Sequence, residues 1–174
     1  VVLAGCASVV KEVADRPIMA SQLSVAANFE LRGRISVRIN DRIESGQIRW
    51  SRSHGEDVMG LFSPLGTQVA LVTQTEGGPA RMRRGADVVE AATVDELAAE
   101  LLGVEVGVDR IAGWVQGVGL RDGVESEAQV AGGVSWRVTA EQYQPASPYR
   151  FARRITAIRG DVIVKLVIDE WRPL

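Results

Sequence analysis

The sequence predicts an α+β protein built on one large antiparallel sheet, and three observations carry that expectation. Apolar and polar residues alternate along much of the chain, the period of strands with one buried face. Two internal stretches, at 93–102 and 109–118, have helical spacing instead, with runs of strands before and after them, the order of an α+β domain rather than of βαβ units. With 174 residues the chain has room for one core and not for two comfortable ones.

The elements follow in order. Asp15 and Pro17 resemble a helix start, and a short helix is expected from 17 to 27, with Met19, Leu23 and Ala26 on one side and Ile18 and Val25 beside them. Leu31, Ile35, Val37 and Ile39 then alternate with Arg32, Arg34, Ser36 and Arg38, apolar on one strand face and mostly cationic on the other. Asn40-Asp41 turns the chain into a second strand, 43–51, with Ile48 and Trp50 on one face. Strands at 57–62 and 69–73 flank the turn Ser63-Pro64-Leu65-Gly66, and two short ones cover 80–84 and 86–91.

Thr93 is the expected N-cap of a helix, Glu96 completes a capping box, and Val94, Leu97, Ala98 and Leu101 share a face that Gly103 ends. A second helix from about Asp109 carries Ile111, Trp114, Val115 and Val118 at buried-stripe spacing, with Gly117 and Gly119 as terminators. Strands at 125–130, 134–139, 149–158 and 162–168 complete the pattern, turned by Gly132-Gly133 and Arg159-Gly160-Asp161.

Composition removes whole classes of function. A chain 46% hydrophobic and 24% charged with net charge -2 is neither disordered nor a generally basic nucleic-acid binder. One Cys and one His cannot build a disulfide framework or a structural zinc site. His54 sits in a polar turn with no oriented partner or nucleophile, which makes it an ordinary surface histidine. The neighbouring acids Asp95/Glu96 and Asp169/Glu170 point apart on regular helix or strand and form no acid/base pair. The glycines of 117–123 follow a helix rather than precede one, so they terminate it and cradle no phosphate. Arg81/Arg83/Arg84 and Arg150/Arg153/Arg154 read as solvated strand faces, with phosphates or an acidic partner as the alternative. No catalytic set, metal site or cofactor is expected, and Trp50, Trp114, Trp136 and Trp171 read as core; the pattern does not separate a solid core from an apolar cavity.

The uncharged stretch 58–75 is interrupted by Ser63, Pro64, Gly66, Thr67 and Gln68, which makes it two strands and a turn rather than a membrane helix. Residues 1–5 resemble the end of a secretory h-region, and Leu3-Ala4-Gly5-Cys6 resembles a bacterial lipobox, with an idle thiol as the alternative for Cys6. Residues 1–5 are then a signal remnant, 6–16 the lipidated Cys and its tether, and 17–174 a single domain. Two or three acyl chains, at about 0.8 kcal/mol per buried methylene, would hold the protein on a membrane without crossing it. Ala7-Ser8 after the Cys, with no Asp, favours the outer membrane.

Together these segments resemble the outer-membrane lipoprotein receptor family LolB. The resemblance rests on the lipobox, Leu31-Arg32-Gly33-Arg34-Ile35-Ser36-Val37, Gly46-Gln47-Ile48-Arg49-Trp50, Ser63-Pro64-Leu65-Gly66-Thr67, Ile111-Ala112-Gly113-Trp114-Val115-Gln116-Gly117 and Val164-Lys165-Leu166-Val167-Ile168-Asp169-Glu170-Trp171. It implies a curved antiparallel sheet forming an incomplete β-barrel, a lid of about three short helices and an apolar cavity between them. It also implies a monomeric, non-enzymatic receptor on the periplasmic side of the outer membrane. That receptor takes acylated lipoproteins from the periplasmic carrier LolA and inserts them into the membrane. By the resemblance, the loop Pro64, Leu65, Gly66 targets the membrane, unless Leu65 folds back onto the core. The nominated cavity wall is Ile35, Val37, Ile48, Trp50, Leu61 and Leu71 from the sheet with Leu97, Leu101, Ile111 and Trp114 from the lid. The competing expectation is a structural envelope lipoprotein that holds a protein partner and transfers nothing.

Overall fold

The computed structural model describes residues 24–102, 107–129 and 135–174. Cys6, the tether, most of the expected first helix, Gly103 and the Gly132-Gly133 turn lie outside the described residues. Ten strands form one antiparallel sheet: β1 (Phe29–Ile39), β2 (Arg42–Ser53), β3 (Glu56–Phe62), β4 (Gln68–Thr75), β5 (Ala80–Arg84) and β6 (Asp87–Ala91) precede the helices α1 (Val94–Leu102) and α2 (Val108–Val115), and β7 (Ser126–Gln129), β8 (Ser135–Ala146), β9 (Tyr149–Arg159) and β10 (Val162–Pro173) follow. Their order is β6-β5-β4-β3-β2-β1-β10-β9-β8-β7. β6 and β7 remain edges, so the sheet is not closed into a barrel. Two meanders are thus joined at their middle by β1 against β10, the first and last strands of the chain.

The alternation that predicts the strands also decides their faces. Leu31, Trp50, Met59, Val72 and Met82 lie side by side across β1 to β5, and all are buried. Val138, Ala157 and Val164 continue that face on β8, β9 and β10. The helices cover it from two places: α1 packs on β5 and β6, and α2 on β9. The opposite face is open and carries most of the charge.

A bulge between Arg32 and Gly33 sets the seam between the meanders, since Arg32 pairs with Glu170 and Gly33 with Ile168. Gly33 is required there, because a Cβ would collide with the Val167 carbonyl. The bulge also corrects the expectation that Asp169 and Glu170 point apart. An extra residue cancels one alternation, and Asp169 pairs with Arg34 at 3.0 Å while Glu170 pairs with Arg32 at 3.8 Å.

α1 begins as predicted, with the Glu96 N–H donating to Thr93 Oγ1 at 3.1 Å. The Glu96 carboxylate reaches one residue further back, to the Ala92 N–H at 2.9 Å. Asp95 accepts the Val108 N–H at 2.6 Å and so ties the start of α2 to α1. Val118 is a correction: it is exposed, because the chain leaves α2 at Gln116 and Gly117 turns with φ 79°.

The described part of the expected 17–27 helix is not helical. Its backbone finds another partner. Gln116, the one buried polar residue among those described, accepts the Ala26 N–H at 2.6 Å and donates to the Ala26 carbonyl at 3.2 Å. A side-chain amide thereby does for Ala26 what a neighbouring strand would do, and no i−4 carbonyl is needed.

Candidate functional site

The strand directions give the sheet two unlike ends. At one end lie the turns between β2 and β3, β4 and β5, and β8 and β9, together with the start of β1 and the end of β10. Here Phe29 meets Trp50 edge-on at 5.2 Å and stacks on Trp171 at 6.3 Å, and Trp171 touches Tyr149 and Phe151. Asp57 accepts from Trp50 Nε1 at 2.6 Å and from both Nε and Nη2 of Arg52 at 2.8 Å. Asn28 closes the corner, its side-chain oxygen accepting the His54 N–H and its carbonyl the Leu174 N–H. His54 is exposed in that turn. Nearby, burial raises the Tyr143 phenol above its ordinary 10.0, opposed by the Arg150 guanidinium and aided by Asp122.

At the other end are the hairpins β1–β2, β3–β4, β5–β6 and β9–β10. The β3–β4 loop carries Leu65. Ser63 fixes it by accepting the Gly66 N–H at its carbonyl, 2.9 Å, and the Thr67 N–H at its hydroxyl, 3.2 Å, while the Ser63 N–H donates to the Thr67 carbonyl at 2.8 Å. Pro64 presets the turn and Gly66, at φ 86°, supplies a backbone that a side chain would strain. Leu65 between them is 96% exposed. It projects; the alternative of a residue folded onto the core is excluded.

The nominated cavity residues divide. Ile48, Trp50, Leu97 and Trp114 are buried in the core. Ile35, Val37 and Leu61 pack against the core but stay only partly buried on the helix-covered face, toward the hairpin end, and Ile111 on α2 is likewise partly buried. Leu71 is a correction. Leu61 pairs with Ala70, and Leu71 pairs with Gly60 and Arg83, so Leu71 faces the open side. The Leu101 side chain falls outside the described residues. What this face presents is an apolar strip between two helices, with the exposed ion pair Arg42–Glu44, 2.8 Å, at its hairpin end.

Among the described residues no cluster of His, Cys, Asp or Glu could hold a metal, and no helix is long and apolar enough to cross a membrane. The arginine groups are split by the fold. Arg81 pairs with Glu90 and Arg154 with Glu141, Arg150 lies over the Tyr143 ring at 4.4 Å, and Arg83 stays on the open face beside Leu71. Sequence reasoning missed Gln116 and Asp57 as organising residues. A glutamine directly after the apolar Trp114-Val115 pair was the available signal for the first, and the Arg52/Asp57 register across a tight turn for the second.

The architecture is thus an open antiparallel sheet with two helices on one face and an apolar strip between them. The same fold occurs in a LolA superfamily protein from Nitrosomonas europaea, with a TM-score of 0.55 at 7% identity, covering 87% of this chain and 88% of that one. The family model of the outer membrane lipoprotein LolB matches residues 27–171. Outer-membrane lipoprotein LolB of Thiobacillus denitrificans is 33% identical over 98% of this chain and 91% of its own length, and that of Azoarcus sp. 28% identical over 86% and 81%. This chain belongs to the LolB family of outer-membrane lipoproteins, a family of receptors and not of enzymes.

Proposed function

We propose that this chain is an outer-membrane-anchored receptor that accepts lipoproteins from the periplasmic carrier LolA by binding their acyl chains, and then inserts them into the outer membrane. Cys6 is the lipidated anchor, and the domain works as a monomer from the periplasmic side. The observation that carries the reading is the partly buried apolar strip of Ile35, Val37 and Leu61 on the helix-covered face, with Ile111 of α2 also partly buried. Such a strip suits a guest chain that arrives and leaves. Each buried methylene contributes about 0.8 kcal/mol, so a site that encloses a chain partly holds it less firmly than a bilayer does. Transfer then runs downhill through differences in affinity, with no covalent step.

Leu65 supports the second half of the reading. Insertion of one Leu contributes about 1.5 to 3 kcal/mol, enough to orient a contact but not to anchor a domain. The stiff Ser63–Thr67 turn holds the side chain out before contact, which lowers the ordering cost.

The test uses the full chain with Cys6→Ser, incubated with LolA carrying an acylated lipoprotein and then pulled down. Cargo should move to the receptor when acylated and stay on the carrier when not. Leu65→Glu should leave this step intact and block release into vesicles. Cargo that never leaves a carrier competent toward an authentic receptor would favour a structural envelope lipoprotein.

A further inference from the structure

The open face is divided along its strands into two halves of different electrostatic character. Along the β1–β10 seam and at the aromatic end its cations are matched: Arg32 with Glu170, Arg34 with Asp169, Arg81 with Glu90 and Arg172 with Glu30. On β1 to β6 toward the hairpin end, beyond the Arg34–Asp169 pair, they are not. Cross-strand register aligns Arg49, Gly60, Leu71, Arg83 and Val88 in one row, and Arg38 lies beside Ile43 nearer the tips. Between that row and the hairpin tips, no acidic residue takes an outward position on β1 to β6. Glu44 and Asp87 share the face of Val37 and Val89 instead. Among the described residues Arg38, Arg49 and Arg83 have no ion-pair partner; the Arg49 guanidinium lies over the Phe62 ring at 4.6 Å.

The apolar side chains of this half are also out of place for a solvated surface. Ile43 is 63% exposed, Val69 46% and Val88 58%, on β2, β4 and β6 toward the end of the sheet that also carries the Leu65 loop. They sit on alternate strands of the sheet rather than along one edge, which suits a flat surface better than an extended peptide. Aliphatic residues at hairpin tips interleaved with unmatched arginines match the boundary of a bilayer, where apolar groups enter and guanidinium groups meet phosphates.

We infer that this half of the open face, with Ile43, Val69 and Val88 among Arg38, Arg49 and Arg83, is a docking surface for anionic phospholipid headgroups beside the Leu65 loop. The inference rests on the membrane-delivery reading and adds a lipid class to it. An anionic leaflet would orient the hairpin end downward, and the arginines would hold it there while Leu65 inserts.

The test is flotation of the full chain carrying Cys6→Ser with vesicles of phosphatidylcholine, alone or with about one-third phosphatidylglycerol. Binding to the anionic vesicles should be about a hundredfold tighter, the gain of three cations at such a surface. That gain should vanish in about 1 M salt, where screening acts within about 3 Å. The triple variant Arg38→Gln, Arg49→Gln, Arg83→Gln should lose the gain while keeping its urea midpoint and its capture of cargo from LolA. Arg172→Gln, at the matched half, should keep it. Equal binding to both vesicles overturns the inference, as does a triple variant that fails in cargo capture instead, which would make this face the carrier's. If Leu65→Glu blocks delivery although lipid charge has no effect, the delivery reading stands and the headgroup surface falls. If lipid charge matters but Leu65→Glu delivers normally, the surface stands and the delivery reading falls.

Discussion

The two ends of the sheet are made from the same ten strands and solve opposite problems. At the aromatic end, Phe29, Trp50 and Trp171 fill the corner, Asp57 takes three hydrogen bonds, and Gln116 holds the entering chain. At the hairpin end, Leu65, Ile43 and Val88 face solvent, and among the described residues Arg38 and Arg83 of the open face have no ion pair. Burial, ring contacts and side-chain hydrogen bonds are concentrated at the aromatic end. The hairpin end gives up burial and leaves apolar and cationic groups exposed, the composition the proposed membrane contact would use.

The sharpest way to break this comparison is to remove aromatic mass. Phe29→Ala should cost about 3 to 5 kcal/mol, read from urea unfolding, because a fully buried ring leaves a cavity between two tryptophans. A loss below about 1 kcal/mol would mean the corner is not where stability lies. Next in size, Asp57→Ala takes the acceptor from Trp50 Nε1 and the carboxylate from Arg52, and should cost about 2 to 3 kcal/mol. Gln116→Leu should cost about 1 to 2 kcal/mol and speed amide exchange at Ala26, since its buried N–H and carbonyl lose their partner together. At the bottom of the scale, Leu65→Ser and Val88→Thr should change stability by less than about 0.5 kcal/mol, although Leu65→Ser should impair delivery.

Tyr143 sharpens the same contrast through pH. Its phenol is raised in the fold, so the folded state holds the proton more tightly than the unfolded chain does. Stability from this group is full below pH 10 and declines as pH rises past the unfolded value of 10.0. Tyrosine absorbance followed alongside unfolding should show the phenol ionising later in the folded protein than in urea.

Much of the sheet was legible because one face is buried and the other wet. β1 announces itself through Leu31, Ile35, Val37 and Ile39 against arginines. β4 defeats the same rule, since Val69-Ala70-Leu71-Val72 is apolar without a break, and periodicity cannot say which pair turns inward. Ala70 and Val72 do, which is why Leu71 was assigned to the wrong side. The bulge at Arg32/Gly33 reverses one alternation in a segment that reads as regular strand. The Gln116 bond to Ala26 spans 90 positions, and no local pattern encodes a contact of that range. The Leu65 turn was legible because Pro and Gly fix its geometry from within.

The bond between Gln116 and Ala26 fixes where the chain enters the sheet. That entry lies at the aromatic end, and the eleven residues of β1 put the hairpin tips about 36 Å away. The Leu65 loop and the corner where the chain enters therefore occupy opposite ends of the sheet, so whatever meets the one is kept clear of the other by the length of a strand.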